Sequence, residues 1–412
     1  MQVGDRVHSA NAERHGHAYR YYVAAYACWH AANSLQNILI AWYVAIVLKS
    51  SPTELGLSQL ALFGAQFLFL PLGGLLADAT SSVRLLRAGY LALGLILGGL
   101  ILSLGVVPPV YHFLTIVVFA VAIGATTGLI TPAGEALVAM VTERAHLSKK
   151  IGTMNIVQFC SRLFGIVIGG AAELIGWLVS FSIVAILFLM ASVEVKFVGA
   201  ASGASTRAAQ HDDKPDSGAA NRSRILKTVI ALQFAVGLIN IGCYAVALPI
   251  IVREQLAGGA REIALVTIAF WSGSIVAGLW LRHVARPRRP ARWILAALSI
   301  GVGMLWIFGS RADVVELFLI TLVWGAVAGA ALTISRTIIQ YFAPAQYRGR
   351  IVSLYQLATL GGAAIGAYGF GLAITFVGPA YSCAIGSVAM LGVIVVAGLQ
   401  GPFRNCTYLR SA

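Results

Sequence analysis

Charge is what this sequence has least of. Of its 412 residues, 11% are Asp, Glu, Lys or Arg and 59% are hydrophobic, whereas an ordinary soluble domain carries about 25% charged residues. So few charges cannot cover a water-soluble protein of this length. The natural solvent is lipid, where each segment satisfies its own backbone groups as a helix. Cysteine is sparse as well: Cys28, Cys160, Cys243, Cys383 and Cys406 lie far apart, four of them in apolar runs. That spacing suits neither a disulfide framework nor a metal site and reads as small buried hydrophobes. There is no Gly-rich phosphate loop ending in Lys-Ser or Lys-Thr, which argues against ATP as the driving force. Neither His-Glu-x-x-His nor Gly-x-Ser-x-Gly occurs, and the longest polar stretch, 196–224, is too short for an enzyme domain. The first 20 residues are polar and the first apolar run, 21–48, is much longer than the core of a cleavable leader.

What is present is a series of apolar runs. Twelve are expected to cross the bilayer, at 21–48, 56–77, 88–107, 113–141, 151–172, 177–195, 225–249, 263–281, 293–309, 314–342, 351–376 and 381–399. Each is near the roughly 20 residues that a spanning helix needs. Net charge is +14, which on a soluble protein would suggest nucleic acid. Here no solvated basic domain exists to bind it, so no nucleic-acid partner is expected. The basic residues sit in short segments between the runs instead. With the N-terminus inside, 23 of the 29 Lys and Arg fall on the inner side and only Lys49, Arg253, Arg261 and Arg311 on the outer. Lys and Arg mark cytoplasmic loops, so both termini are expected in the cytoplasm of a multi-pass inner-membrane protein.

The chain divides into a tail (1–20), a six-helix bundle (21–195), a linker (196–224) rich in Ala, Ser, Gly and Asp, a second six-helix bundle (225–399) and a C-terminal tail (400–412). The bundles form a weak repeat. Lys150-Ile151 opens span five and Arg350-Ile351 opens span eleven; Gly169 and Gly369 keep the same offset; Gly74-Leu75 and Gly278-Leu279 precede equivalent basic loops. Parallel repeats about an axis along the membrane normal are the plan of major facilitator transporters.

The loop after span two reads Gly73-Gly74-Leu75-Leu76-Ala77-Asp78-Ala79-Thr80-Ser81-Ser82-Val83-Arg84. It resembles the major facilitator signature Gly-x-Leu-Ala-Asp-Arg-x-Gly-Arg-Arg, with Gly74, Leu76, Ala77, Asp78 and Arg84 in place and the remaining basic residues absent. Ser51-Pro52-Thr53-Glu54-Leu55-Gly56-Leu57, Leu70-Pro71-Leu72-Gly73-Gly74, Thr131-Pro132-Ala133 and Tyr347-Arg348-Gly349-Arg350-Ile351 resemble the drug:proton antiporter branch, which holds macrolide and enterobactin exporters. Arg162-Leu163-Phe164-Gly165-Ile166-Val167-Ile168-Gly169-Gly170 is similar to the antiporter pattern Gly-Pro-x-x-Gly-Gly, with Ile166 in place of Pro. The resemblance covers about residues 21–400. It implies an all-α membrane fold of twelve transmembrane helices in two pseudo-symmetric six-helix bundles.

It also implies roles. Gly74, Asp78, Arg84, Arg348 and Arg350 would form a cytoplasmic gate whose ion pairs make and break as the bundles rock. Spans one, four, seven and ten would surround a central cavity. Polar residues in apolar spans are the candidates to line it, because a charge costs about 2.5–3.5 kcal/mol at the centre of a spanning helix. Span one carries His30, Asn33, Ser34, Gln36 and Asn37; span seven carries Gln233, Asn240 and Tyr244. Thr127, Thr131 and Glu135 share one face of span four by their four-residue spacing, as do Arg336 and Gln340 in span ten. Glu135 and Arg336 either pair across the cavity or snorkel to the interface. Asn155, Gln158 and Arg162 form a polar stripe on span five. Arg162 either pairs with Glu135 or holds an acidic group of the substrate. His30 and Glu135 are the candidate proton carriers.

The expectation is a monomeric, non-enzymatic secondary transporter whose partners are a small-molecule substrate and the bilayer, with no cofactor beyond the proton gradient. Proton-coupled efflux of a small amphipathic, acidic compound such as a drug or siderophore is the first reading. The alternatives are a facilitator or importer of a polar metabolite and a non-transporting membrane scaffold. Asp78→Asn is expected to leave the protein folded and to cut transport severely; a wild-type transport rate in that variant would remove Asp78 from the mechanism.

Overall fold

The computed structural model describes residues 2–140, 147–201, 219–283, 288–310, 313–344 and 347–407. Within them the regular structure is entirely helical. Nine of the described helices are long and apolar enough to cross a membrane. Among these, Gly349–Leu399 contains two spans, because Arg348–Leu399 is broken at Gly378. Span one, whose polar residues lower its hydropathy, and span five, whose apolar part among the described residues is the shorter Ile156–Gly170, complete the set of twelve. Large apolar side chains lie bare along the helices, Leu174, Val106 and Phe376 among them, as hydrocarbon permits and water does not.

Several boundaries differ from the sequence expectation. The helix of span one starts at Gln2 and runs to Trp42, so residues of the expected tail 1–20 continue the helix. A π-helical turn, Tyr43–Val47, follows. Span six runs on to Ala201 and span seven starts at Ala219. Both ends of the expected linker 196–224 are therefore helical, and 202–218 lies outside the described residues. Good helix formers such as Ala, Lys and Arg carry helices beyond the bilayer, where hydropathy no longer marks them.

The chain forms two compact units, Met1–Ile40 with Ala65–Ala208 and Ala41–Gly64 with Ala209–Ala412. The expected boundary between the bundles at 196–224 does not separate them completely, because 41–64 goes with the second unit. Thr53 Oγ1 lies 2.8 Å from Thr375 Oγ1. Gly56 lies so close to span eleven that a Cβ would come within 2.6 Å of Ala367 O.

Within each unit, helices meet at glycine. In the first unit Gly73 packs on the Leu129 carbonyl, Gly128 on the Gln66 carbonyl and Gly165 on the backbone of Ala31. In the second, Gly325 packs on Phe270, Gly273 on Leu322, Gly242 on Gly366 and Gly362 on Phe234. The pairings correspond: span two meets four as eight meets ten, and one meets five as seven meets eleven. Lipid offers no hydrophobic drive between helices, so close backbone approach at small residues carries the association. The sequence offset of Gly169 and Gly369 does not carry over: Gly169 packs against Ile38, whereas nothing faces Gly369.

The repeat is also visible at the ends of helices. Span two opens with a reciprocal cap, Ser51 N–H to Glu54 Oε2 at 2.7 Å and Glu54 N–H to Ser51 Oγ at 3.2 Å. Span eight opens with Gly259 N–H donating to Glu262 Oε2 at 2.8 Å. Spans five and six reverse at Gly176 (φ 80, ψ 158), and eleven and twelve at Gly378 (φ 77, ψ 169). That region is open essentially to glycine alone. Gly378→Ala is therefore expected to destabilise the protein by about 1–3 kcal/mol, while Gly392→Ala, mid-helix in span twelve with nothing facing it, is expected to be neutral or stabilising. Thermal unfolding in detergent checks the contrast.

Candidate functional site

In the first unit the polar residues gather where span one meets spans four and five. Tyr22, Tyr26 and His30 are spaced by four and stack along one face of span one. Tyr22 donates its hydroxyl to Gly134 O of span four at 3.0 Å, and Tyr26 donates to Gln158 Oε1 of span five at 3.2 Å. The His30 ring lies 4.3 Å from that of Tyr26 and 4.5 Å from that of Trp29. His30 is 4% exposed. Its Nε2, like Trp29 Nε1 and Gln36 Oε1, is buried with no hydrogen-bond partner among the described residues. Arg162, one turn along from Gln158 and half-buried, is near enough for its charge to act on His30. The buried imidazole is thus walled by the rings of Tyr26 and Trp29 and lies within the field of the Arg162 charge.

The other candidates of this unit are placed less deeply. Asn37 is exposed and donates Nδ2–H to Asn33 Oδ1 at 3.2 Å. Glu135 is exposed, next to the Gly134 carbonyl, and its charge acts on the Tyr22 phenol. Thr131 satisfies its hydroxyl on the Thr127 carbonyl at 2.7 Å, so the expected stripe on span four is partly self-bonded. The side chain of Asn155 lies outside the described residues. Asp78 and Arg84 are both exposed and make no hydrogen bond or ion pair among the described residues. Gly74 has open space where a Cβ would stand.

In the second unit a polar cluster joins spans seven, ten and eleven. Tyr355 donates its hydroxyl to Gln233 Oε1 at 3.0 Å, and Arg336, itself exposed, approaches the same phenol from span ten. Gln233 and Asn240 line a cavity of about 50 Å³ with Trp324 and Ser335. That is room for a few waters and not for a solute. Tyr244 donates to Thr267 Oγ1 at 3.2 Å and packs against Phe270 and Trp324, with ring centroids 5.2 and 5.8 Å away. A π-helical turn, Val236–Ile241, interrupts span seven between Gln233 and Tyr244, and such turns concentrate at functional sites. Arg350 is exposed over the Tyr347 ring at 6.0 Å. Arg348 opens the helix of span eleven, and its side chain lies outside the described residues.

Sequence reasoning missed Tyr22, Tyr26 and Tyr355, which carry the hydrogen bonds between spans. Their four-residue spacing from His30 was a usable signal for the first two. It also took Arg253 for a loop charge. Arg253 Nη1 donates to Ala45 O at 3.0 Å and Ser50 O at 2.7 Å, while Nη2 meets Glu254 Oε1 at 2.8 Å. The guanidinium thus caps the carbonyls at the end of span one, where Lys49 takes a left-handed φ of 51°.

Two six-helix units, apolar outside and with polar clusters held inside the spans, define a multi-pass membrane transporter rather than an enzyme. The sequence profile of the Major Facilitator Superfamily matches residues 22–367; the chain belongs to that superfamily of secondary transporters. Solved structures with the same fold include a D-xylose-proton symporter (11% identity, TM-score 0.73, covering 95% of this chain and 99% of that one). An auto-inhibited POT family peptide transporter (13%, TM-score 0.70, 96% and 99%) and a nucleoside transporter (14%, TM-score 0.61, 93% and 98%) are further neighbours. No curated protein sequence matches the chain.

Tyr355→Phe is expected to cost about 1–2 kcal/mol, because Gln233 Oε1 stays buried and loses its donor. Tyr244→Phe is expected to cost less, since Thr267 keeps its own bond to Ile263 O. Denaturant or thermal unfolding in detergent measures both.

Proposed function

We propose that the chain is a proton-coupled exporter of a small amphipathic compound bearing an acidic group, drug-like or siderophore-like, acting as a monomer in the inner membrane with both ends in the cytoplasm. The observation that carries the substrate reading is the buried His30 imidazole, its Nε2 unpartnered among the described residues, between the rings of Tyr26 and Trp29 and within the field of the Arg162 charge. The positive charge of Arg162 favours an anionic group nearby, and aromatic walls suit an apolar body attached to it. The inner-side bias of Lys and Arg supports the orientation. The resemblance of 51–57, 70–74, 131–133 and 347–351 to the antiporter branch supports export. Alternating access would present the site to each side in turn, with Asp78, Arg84, Arg348 and Arg350 as the cytoplasmic gate. His30 and Glu135 are the groups that would carry the proton.

One observation favours uptake or facilitated exchange instead. Where the antiporter pattern has Pro, this chain has Ile166, fully buried in an unbroken helix.

Reconstituted protein in vesicles with an imposed pH gradient decides between these. Organic acids are expected to move against their own gradient, in the direction opposite to protons, and to stop when the pH gradient is collapsed. Arg162→Gln is expected to raise KM for an acidic substrate about 10- to 100-fold, the equivalent of one charge-assisted hydrogen bond. Movement indifferent to the pH gradient would overturn coupling, and an unchanged KM would remove Arg162 from the substrate site.

A further inference from the structure

A second cavity, of about 310 Å³, lies in the second unit where span seven begins. Arg222, Ser223, Leu226, Lys227 and Ile230 come from the first turns of span seven, and Ile351 comes from the start of span eleven. It is far larger than the cavity beside Gln233 and shares none of its residues. Among the described residues no Asp or Glu lines it.

Its lining is ordered along the helix axis. Arg222 and Ser223 stand at the end of the spanning segment Asn221–Gln255, Leu226 and Lys227 one turn further in, and Ile230 a turn beyond. Two cations and a hydroxyl thus give way, within about 12 Å at 1.5 Å per residue, to an apolar wall that Ile351 completes. Lys227 is exposed and its long stem can lay its ammonium back towards the polar end. A free anion would have use for the basic end alone. A cavity with a basic mouth and an apolar floor, set at the edge of a spanning helix, matches an amphiphile lying along the membrane normal.

We infer that this cavity binds the phosphate headgroup of an anionic phospholipid, with the start of an acyl chain against Leu226, Ile230 and Ile351. Lys227 would hold the phosphate and Ser223 would donate to it, with the charge of Arg222, which also has another interaction of its own, added at the mouth, the pattern of basic pockets between spanning helices at headgroup level. Zwitterionic lipid brings a cation of its own and fits this mouth poorly. The inference needs the Asn221 end of span seven to lie at headgroup level and does not depend on substrate or direction of transport.

The test counts lipids. Full-length protein in detergent is titrated with phosphatidylglycerol or phosphatidylcholine and bound lipid is measured by native mass spectrometry. Wild type is expected to keep phosphatidylglycerol about tenfold more tightly than Arg222→Gln/Lys227→Gln, and to show no such difference for phosphatidylcholine. Arg224→Gln, an exposed cation of the same turns that does not line the cavity, is expected to behave as wild type. Ile230→Trp, which fills the apolar floor and leaves both cations, is expected to lose phosphatidylglycerol as the double variant does. Equal retention by wild type and the double variant overturns the inference, as does an equal loss in Arg224→Gln. Displacement of phosphatidylglycerol by millimolar inorganic phosphate would show an anion site without a lipid and would overturn it too.

Discussion

Close contact between helix backbones is the condition on which the rest of this molecule depends. In hydrocarbon a leucine face gains nothing by leaving lipid for another helix, so the spans are held by van der Waals contact where side chains are smallest. Gly73 on Leu129, Gly128 on Gln66 and Gly165 on Ala31 do this in the first unit, and Gly242 on Gly366 and Gly325 on Phe270 in the second. Each contact fixes the rotation of two helices about their axes. That rotation then decides which polar side chains point at a neighbouring span and which point away from it.

The polar residues follow from this. Gly165 seats span five against Ala31, adjacent in sequence to His30. Gln158 and Arg162 lie on the turns of span five before it, and are thereby carried to the face where Tyr26 and His30 stand. In the second unit Gly362 on Phe234 brings span eleven to the residue next to Gln233, and two turns earlier on span eleven Tyr355 completes the bond. A glycine contact and a tyrosine–glutamine bond thus occur together in both units, on spans one and five and on spans seven and eleven. The first unit adds to this the His30 Nε2, buried with no hydrogen-bond partner among the described residues, within reach of the Arg162 charge; in the second the bonded pair adjoins a cavity sized for water.

Residues 41–64 show how local chemistry ties a short piece of chain to the second unit. The π-helical turn Tyr43–Val47 and the left-handed Lys49 end span one with carbonyls that lack helical donors. Arg253 supplies those donors from the far end of span seven. Gly56 and Thr53 then lie flush on span eleven.

The sequence by itself determined that the chain crosses a membrane, roughly where, and in two halves. Hydropathy, the distribution of Lys and Arg and helical spacing are properties of neighbouring residues and need no knowledge of the fold. It also marked His30, Arg162, Gln233 and Arg336, because a polar group in an apolar run is conspicuous wherever the run packs. Only the tertiary structure decided their partners. That Tyr26 reaches Gln158, that Tyr355 reaches Gln233, and that Arg253 caps span one are contacts between residues more than 100 positions apart. They depend on helix rotation, which is set by interlocking at glycines whose partners no local pattern names. The offset shared by Gly169 and Gly369 shows the limit: equal spacing in the chain, yet one glycine is packed and the other faces open space.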